Sequence, residues 1–154
     1  MAPRTSAGIL LFRPRGGRLE VLLAHPGGPF FGNRDASHWT IPKGEADGDE
    51  GLVAVARREF EEETGHAPPD GEAIELGSIV QKGGKIVHAW GLEGDLDPAA
   101  AESNTFEMVW PPGSGRVQTF PEIDRVEWFD VDEAKRRLKP TQIPLVDRLI
   151  DALR

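Results

Sequence analysis

The sequence predicts a single α/β domain, and three observations lead to this prediction. Short apolar segments that end at Gly and Pro alternate with segments of helical periodicity. One helical segment lies within residues 44–66, and two more follow near the C-terminus. A chain of 154 residues has the usual length of one domain and is long enough to bury a core.

The strand candidates are apolar runs that end at turn residues. Residues 6–13 and 19–25 are joined by a Pro-Arg-Gly-Gly-Arg turn, which predicts a β-hairpin. Further strands are predicted at residues 38–41, 73–81, 85–92, 106–110 and 126–129. The intervening stretches 26–37, 93–104, 111–115 and 118–124 are predicted loops or turns.

Two helices are predicted near the C-terminus. Asp130 and Glu133 have the spacing of a capping box, which begins a helix that runs through Leu138 and is stopped by Pro140. The last predicted helix spans residues 144–153. Its apolar side contains Leu145, Leu149, Ile150 and Leu153. We therefore expect this helix to pack on the sheet.

The composition argues against several classes of protein. Eighteen basic against 26 acidic residues give a net charge of −8, whereas a surface that binds a nucleic acid polymer normally carries a basic stripe. The chain has no cysteine, and no apolar run reaches the ~20 residues that cross a membrane. The N-terminus lacks a signal-peptide core. We expect a cytoplasmic protein without nucleic acid or membrane partners, and the oligomeric state is left open.

Residues 44–66 (GEADGDEGLVAVARREFEEETGH) are the most informative segment. At about 100° per residue, one arc of a helix carries three glutamates: Glu59, Glu62 and Glu63. The earlier turns of that arc are apolar: Leu52, Val55 and Ala56. Because burying uncompensated carboxylates is costly, the pattern predicts a hard divalent cation such as Mg2+, which also binds phosphate. The alternative is an acidic helix face that is exposed to solvent.

Local spacing predicts how this helix is arranged. Asp47 and Glu50 have capping-box spacing and are expected to fix the start of the helix, and Gly65 suits a left-handed position at its end. Arg58 precedes Glu62 by four residues, so its guanidinium fork is expected to hold a carboxylate of the cluster. Arg57 and Glu61 have the spacing of a solvent-facing ion pair.

The same segment resembles the signature of the Nudix hydrolase family. That signature reads Gly, five residues of any kind, Glu, seven of any kind, and then Arg-Glu-apolar-any-Glu-Glu-any-Gly-apolar. The matching residues are Gly44, Glu50, Arg58, Glu59, Phe60, Glu62, Glu63 and Gly65. Only the last apolar position differs, because His66 occupies it. The resemblance implies an α/β/α sandwich with a mixed central sheet. It also implies a hydrolase that uses Mg2+, with Mn2+ as the alternative.

The resemblance also implies roles for individual residues. Glu59, Glu62 and Glu63 are the implied metal ligands, together with the carbonyl of Gly44, and Arg58 is implied to orient the glutamates through a pair with Glu50. A glutamate from a distant loop is implied to supply a metal ligand or the general base, and Glu59 is the other candidate for the base. Three residues are candidates for that distant glutamate: Glu102, Glu107 and Glu122. We prefer Glu122, in the predicted loop 118–124.

Residues 38–44 (HWTIPKG) are similar to the lead-in found in Nudix hydrolases of dinucleoside polyphosphates such as diadenosine tetraphosphate. Trp39 is therefore a candidate to stack on a base, with a core aromatic residue as the alternative. Lys43 is a candidate phosphate contact beside the metal. Lys82 and Lys85 are candidates to contact a distal phosphate, with a solvent-exposed hairpin tip as the alternative. His25 and His38 are candidates to bind phosphate or transfer protons, with a structural role as the alternative.

The preferred substrate is a dinucleoside polyphosphate. Nucleoside triphosphates, including oxidised ones, and compounds like ADP-ribose are the alternatives within hydrolysis. Two hypotheses lie outside it: a non-catalytic Nudix module that senses a nucleotide, and a structural subunit without activity.

Overall fold

The computed structural model describes residues 4–32 and 35–154. Its fold is built on a mixed β-sheet. Its strands are β1 (Thr5–Arg15), β2 (Arg18–Pro26), β3 (Lys43–Glu45), β4 (Ile74–Val80), β5 (Ile86–Glu93) and β8 (Ile123–Asp130). Two further strands, β6 (Thr105–Val109) and β7 (Val117–Pro121), form a separate hairpin. The helices are α1 (Leu52–Thr64), α2 (Val131–Arg137) and α3 (Ile143–Ala152).

The main sheet has the order β4-β5-β1-β2-β8, with β3 paired to β1. Strand β1 runs parallel to β5 and antiparallel to β2 and β3, so the sheet is mixed as expected. Helix α1 covers one face, and α2 and α3 cover the other. The predicted α/β architecture with helices on both faces is confirmed.

The central strands are apolar on both faces because both faces are covered. A hydrophobic core lies on each face of the sheet. In β1, Leu10 and Phe12 belong to the core under α3, whereas Ile9 and Leu11 belong to the core under α1. This alternation follows from the two-residue period of a strand. It explains why residues 6–13 read as a continuous apolar run in the sequence.

Most predicted strands are present, with shifted ends. The first hairpin is tighter than predicted, because Arg15 pairs with Arg18 and leaves a two-residue turn of Gly16 and Gly17, both with positive φ. Residues 38–41 do not form a strand and make only isolated bridges, from Thr40 to Ala24 and from Trp39 to Leu138.

Two predictions near the C-terminal half of the chain were wrong. Most of the predicted loop 118–124 lies in strands β7 and β8, because the polar sequence of β7 pairs with β6 outside the core and so lacks an apolar alternation. In α3, Leu145 and Leu149 are buried as expected, and so is Val146. Leu153, however, is 43% exposed, because α3 ends at Ala152.

Helix α1 begins later than its spacing predicts. Asp47 N donates to Glu50 Oε1 (3.2 Å), but this bond lies in the turn before the helix, and Gly51 is the N-cap without a side-chain cap. Gly65 ends the helix with φ 77°, as predicted. Arg57 does not pair with Glu61.

Instead, the Arg57 guanidinium donates to the carbonyls of Pro69 (3.3 Å) and Gly71 (3.2 Å) and holds the segment after the helix. Helix α2 has the predicted cap, because Glu133 N donates to Asp130 Oδ1 (2.8 Å). Among the described residues, no helix is long and apolar enough to cross a membrane.

Gln142 fixes the segment that leads to β3. Its fully buried amide accepts from Ile41 N (3.0 Å) and donates to Thr40 Oγ1 (2.8 Å) and Gln81 Oε1 (2.8 Å). These bonds join the start of α3, the end of β4 and residues 40–41. The position of β3 therefore depends on a residue about a hundred positions away in the sequence.

We expect Gln142→Leu to lower the free energy of unfolding by about 2 kcal/mol, because the buried Ile41 N–H loses its acceptor and the Thr40 hydroxyl oxygen loses a donor. Urea unfolding measures this, with the exposed neighbour Thr141→Ala as a matched control. Equal stability of Gln142→Leu and the parent would contradict the assigned role.

Candidate active site

A cavity of about 460 Å³ lies where β3 meets α1. Its acidic lining consists of Glu45, Glu59, Glu62, Glu63 and Glu122. The remaining lining residues are Lys43, Gly44, Lys85 and Asn104. The predicted glutamates, Gly44 and Lys43 are thus brought together in one place.

Glu59 lies directly against Gly44. Strand β3 pairs with β1 so that Gly44 faces Ala7, and α1 packs on the same strand. A Cβ atom on Gly44 would lie 2.1 Å from the Glu59 carboxyl carbon. Only glycine therefore leaves room for the Glu59 carboxylate in this position.

Arg58 contacts the glutamates near the start of α1. It pairs with Glu50 as expected, and its Nη2 lies 3.5 Å from both Glu59 Oε1 and the Glu45 carbonyl. It therefore reaches Glu59 rather than Glu62, because the helix starts after Glu50 and the guanidinium turns back towards that carboxylate. The Arg58 guanidinium holds the pKa of Glu50 below its usual range.

Only one of the three distant glutamates lines the cavity, namely Glu122. It connects β7 to β8 and is fixed by its backbone, which accepts from Gly27 N (2.9 Å) and donates to the Asn104 carbonyl (2.9 Å). Glu102 lies beyond the end of α1, and Glu107 is exposed on β6. The sequence preference for Glu122 thus agrees with its location.

Comparisons with known proteins identify the family. A model of the family described as NUDIX domain matches residues 2–149. The chain belongs to the NUDIX domain family. Its structure resembles the NUDIX domain of Shewanella oneidensis NrtR in complex with ADP ribose, at 19% identity and TM-score 0.69, over 100% of this chain and 90% of the other. The Nudix domain and its hydrolase neighbours indicate a pyrophosphohydrolase, and the family generally uses a divalent metal.

Two other solved structures share the Nudix fold. A C. elegans Ap4A hydrolase matches at 19% identity and TM-score 0.68, over 99% of this chain and 100% of the other. A MutT/Nudix family protein from Listeria innocua matches at 20% identity and TM-score 0.64, over 99% and 96%. Identities this low show the fold alone.

One curated relative is longer than this chain. The chain is 31% identical over 136 residues to a Myxococcus xanthus protein named octanoyltransferase, covering 88% of this chain. The match spans 33% of that protein, so the chain corresponds to about a third of its relative's length.

The carboxylates that line the cavity, here called the Nudix site, repel one another. The pKa of Glu63 is raised to about 8, mainly by burial and also by the neighbouring charges of Glu59 and Glu122, while Lys43 opposes the shift. Burial and Glu62 raise the pKa of Glu59 to about 6. A cation among these oxygens would relieve both the desolvation and the repulsion.

The lysines beside the acids are also crowded. Burial lowers the pKa of Lys43 to about 8, and Lys85 and Lys139 lower it as well. Lys139 was not singled out from the sequence, because backbone pairing of Leu138 and Lys139 with Trp39, about a hundred positions away, carries it towards Lys43. Asn104 was missed for a similar reason, since it ends a predicted loop. These lysines are suited to an anionic group next to the acids.

The oxygens at the Nudix site have the chemistry that Mg2+ prefers, namely carboxylates and the carbonyl of a glycine whose face carries no side chain. Among residues 4–32 and 35–154, no three His, Asp or Glu side chains already lie at metal-ligand spacing. The residue types fit a hard cation, and two of the carboxylates, Glu59 and Glu63, are partly buried.

Trp39 corrects the prediction of a base-stacking residue. Its side chain is 0% exposed and packs edge-on against His25 (5.1 Å between ring centroids) and Phe129 (5.0 Å). The Arg125 guanidinium lies 5.2 Å from the indole. A base has no surface of Trp39 to stack on, so the alternative of a core aromatic residue is the one observed.

The other substrate candidates are divided by position. Lys85 lines the cavity and pairs with Glu45 (3.3 Å), whereas Lys82 is exposed in the turn before it and is absent from the lining. His38 Nδ1 lies 2.7 Å from the Ala36 carbonyl, outside the cavity lining. His25 is buried and lies 2.8 Å from Asp124 Oδ1, in a structural position.

We expect Gly44→Ala to weaken Mg2+ binding roughly tenfold, in the range found when metal-site support is removed, because the new methyl group displaces the Glu59 carboxylate. The free energy of unfolding should change little, since the displaced group is the end of a flexible side chain. Calorimetry with Mg2+ and urea unfolding measure the two effects. Gly32→Ala, where an added Cβ meets nothing within 4 Å, is the control. Unchanged Mg2+ affinity in Gly44→Ala would contradict the expectation.

The metal-free protein should become less stable as pH rises. The folded state holds a proton on Glu63 up to about pH 8, whereas the unfolded chain releases it near 4.5, so the free energy of unfolding falls between these values. Glu63→Gln should flatten this slope, and the exposed Glu61→Gln should not. Urea unfolding with a chelator at several pH values tests this, and a flat profile in the parent would refute it.

Proposed function

We propose that this chain is a Mg2+-dependent hydrolase that cleaves a phosphoanhydride bond in a nucleoside diphosphate linked to another group. One observation carries the proposal. The three glutamates of the Nudix signature that are expected to bind metal line the same cavity as two lysines: Glu59, Glu62, Glu63, Lys43 and Lys85. Carboxylates next to lysines match a substrate whose phosphates arrive with a cation. The single-domain organisation and the cytoplasmic location expected from the sequence are part of this proposal.

The residues that would hold Mg2+ are the Gly44 carbonyl, Glu59, Glu62, Glu63 and Glu122. Bound there, Mg2+ supplies neutralisation of the phosphate charge and acidification of water. Arg58 keeps Glu59 in place, since its guanidinium is anchored on Glu50. Lys43 and Lys85, which line the same cavity, would hold the phosphates.

The chain itself handles the proton in hydrolysis. The oxygen of a water attacks phosphorus while the bridging P–O bond breaks, and the electron pair leaves with the departing phosphate oxygen. Glu122 or Glu59 accepts the proton of that water. We favour Glu122, because its backbone is fixed on both sides by hydrogen bonds and Glu59 is already paired with Arg58.

For the substrate, we propose a dinucleoside polyphosphate such as diadenosine tetraphosphate. The HWTIPKG lead-in and the fold shared with the C. elegans Ap4A hydrolase support it. The NUDIX domain with bound ADP ribose supports a compound like ADP-ribose as the alternative, whether hydrolysed or only sensed. Nucleoside triphosphates, including oxidised ones, remain a third class.

A panel of these compounds with Mg2+, with products resolved by chromatography, tests the proposal. We expect the highest kcat/KM for the dinucleoside polyphosphate and a fall to background in Glu62→Gln. Turnover of another class alone would replace the substrate. Equal, negligible rates in the parent and Glu62→Gln, with nucleotide still bound, would favour the sensor.

Glu122→Gln should lower kcat about a hundredfold or more, because the amide cannot accept the proton of the attacking water. Glu107→Gln is the matched control, since Glu107 is exposed on β6 outside the cavity lining. Steady-state kinetics with the best substrate of the panel measures both. A parent-like kcat in Glu122→Gln would assign the base to Glu59.

A further inference from the structure

The described lining of the cavity contains no aromatic residue, and Trp39 is buried. The cavity therefore accounts for phosphates and a cation but not for a nucleobase. Bases are commonly held by stacking on an exposed aromatic ring. Such a ring has to lie elsewhere, on an element connected to the cavity.

The hairpin of β6 and β7 has one apolar face. Along β6, half-buried residues alternate with exposed ones, so Phe106, Met108 and Trp110 share a face. Phe120 of β7 pairs with Phe106 on the same face, with 5.9 Å between the ring centroids. The opposite face carries Thr105, Glu107, Val109, Val117 and Thr119, all exposed.

The segment after β2 covers this apolar face only in part. Gly28 lies against the Phe106 ring, and Phe30 packs edge-on against Trp110 with 5.2 Å between ring centroids. Phe30 is nevertheless 56% exposed. Together Phe30 and Trp110 present aromatic surface to solvent at the far end of the hairpin.

This aromatic pair is connected to the catalytic cavity by backbone hydrogen bonds. Asn104, which precedes β6, and Glu122, which follows β7, both line the cavity and are bonded to each other (2.9 Å). Gly27, at the start of the segment that carries Phe30, donates to the Glu122 carbonyl (2.9 Å). The hairpin that carries Trp110 and the segment that carries Phe30 are therefore both attached beside Glu122.

We propose that Phe30 and Trp110 form a stacking site for a nucleobase of the substrate. The inference rests on the proposed hydrolase function and specifies how the substrate is recognised. At about 3.3 Å per residue, the six steps from Asn104 to Trp110 span at most about 20 Å. A ligand that reaches both places is extended, which fits two nucleosides joined by a polyphosphate.

Kinetics with diadenosine tetraphosphate and Mg2+ test the site. Trp110→Ala and Phe30→Ala are expected to raise KM roughly tenfold with little change in kcat, since stacking holds the base and takes no part in bond cleavage. Trp110→Phe should restore most of the parent KM. Val117→Ala, an exposed apolar residue on the opposite face, is the control and should leave KM unchanged.

Calorimetry with inorganic tripolyphosphate, which has no base, provides the second measurement. Its affinity should be equal in the parent and in all four variants, because the lysines and carboxylates are untouched. Far-UV circular dichroism shows whether each variant folds, and if Trp110→Ala does not, Phe30→Ala at its exposed position decides the result.

Three outcomes would overturn the inference. A parent KM in both alanine variants would refute the stacking site while leaving the hydrolase function intact. An unchanged KM with a lower oligomeric state by size-exclusion chromatography would make this face a contact between copies of the chain. A parent that hydrolyses no nucleotide would refute both the stacking site and the proposed function.

Discussion

The contact between Gly44 and Glu59 is the constraint on which the site depends. Strand β3 brings Gly44 against β1, and α1 packs on the same strand from one face of the sheet. The buried residues of α1, Val55, Ala56 and Phe60, fix the rotation of the helix. The same rotation places Glu59 against the glycine and brings Glu62 and Glu63 to the cavity lining. Core packing and site geometry are therefore set by the same face of one helix.

That arrangement concentrates charge at a cost in stability. Glu63 and Lys43 both have pKa values shifted to about 8, in each case mainly by burial. The backbone amide of Lys43 donates to Glu63 (3.2 Å), which only partly offsets the desolvation. Site residues whose charges are poorly compensated by the protein are typical of functional sites, where a ligand provides the compensation. Here an acid and a lysine both lack a compensating charge, so the site suits a cation bound together with phosphates.

Glu122 joins the site to the outer part of the molecule. Its position between β7 and β8 puts a carboxylate in the cavity, while its backbone ties down both the β6–β7 hairpin and the segment after β2. One residue thus couples the acidic cavity to the aromatic face of the hairpin. Lys43, Lys85 and Lys139 approach the cavity from other elements, so the phosphate side and the aromatic side have separate supports.

The acidic helix, the family and most strands could be predicted from the sequence, because helical and strand periodicity and the Nudix spacing are local properties. The sequence also favoured Glu122 among the distant glutamates. Tertiary structure alone decided what surrounds each side chain. Trp39 became a core residue because His25 of β2 and Arg125 and Phe129 of β8, which is distant in sequence, converge on it. Strand β7 formed because β6 was available as a partner, although its own polar sequence gave no strand pattern.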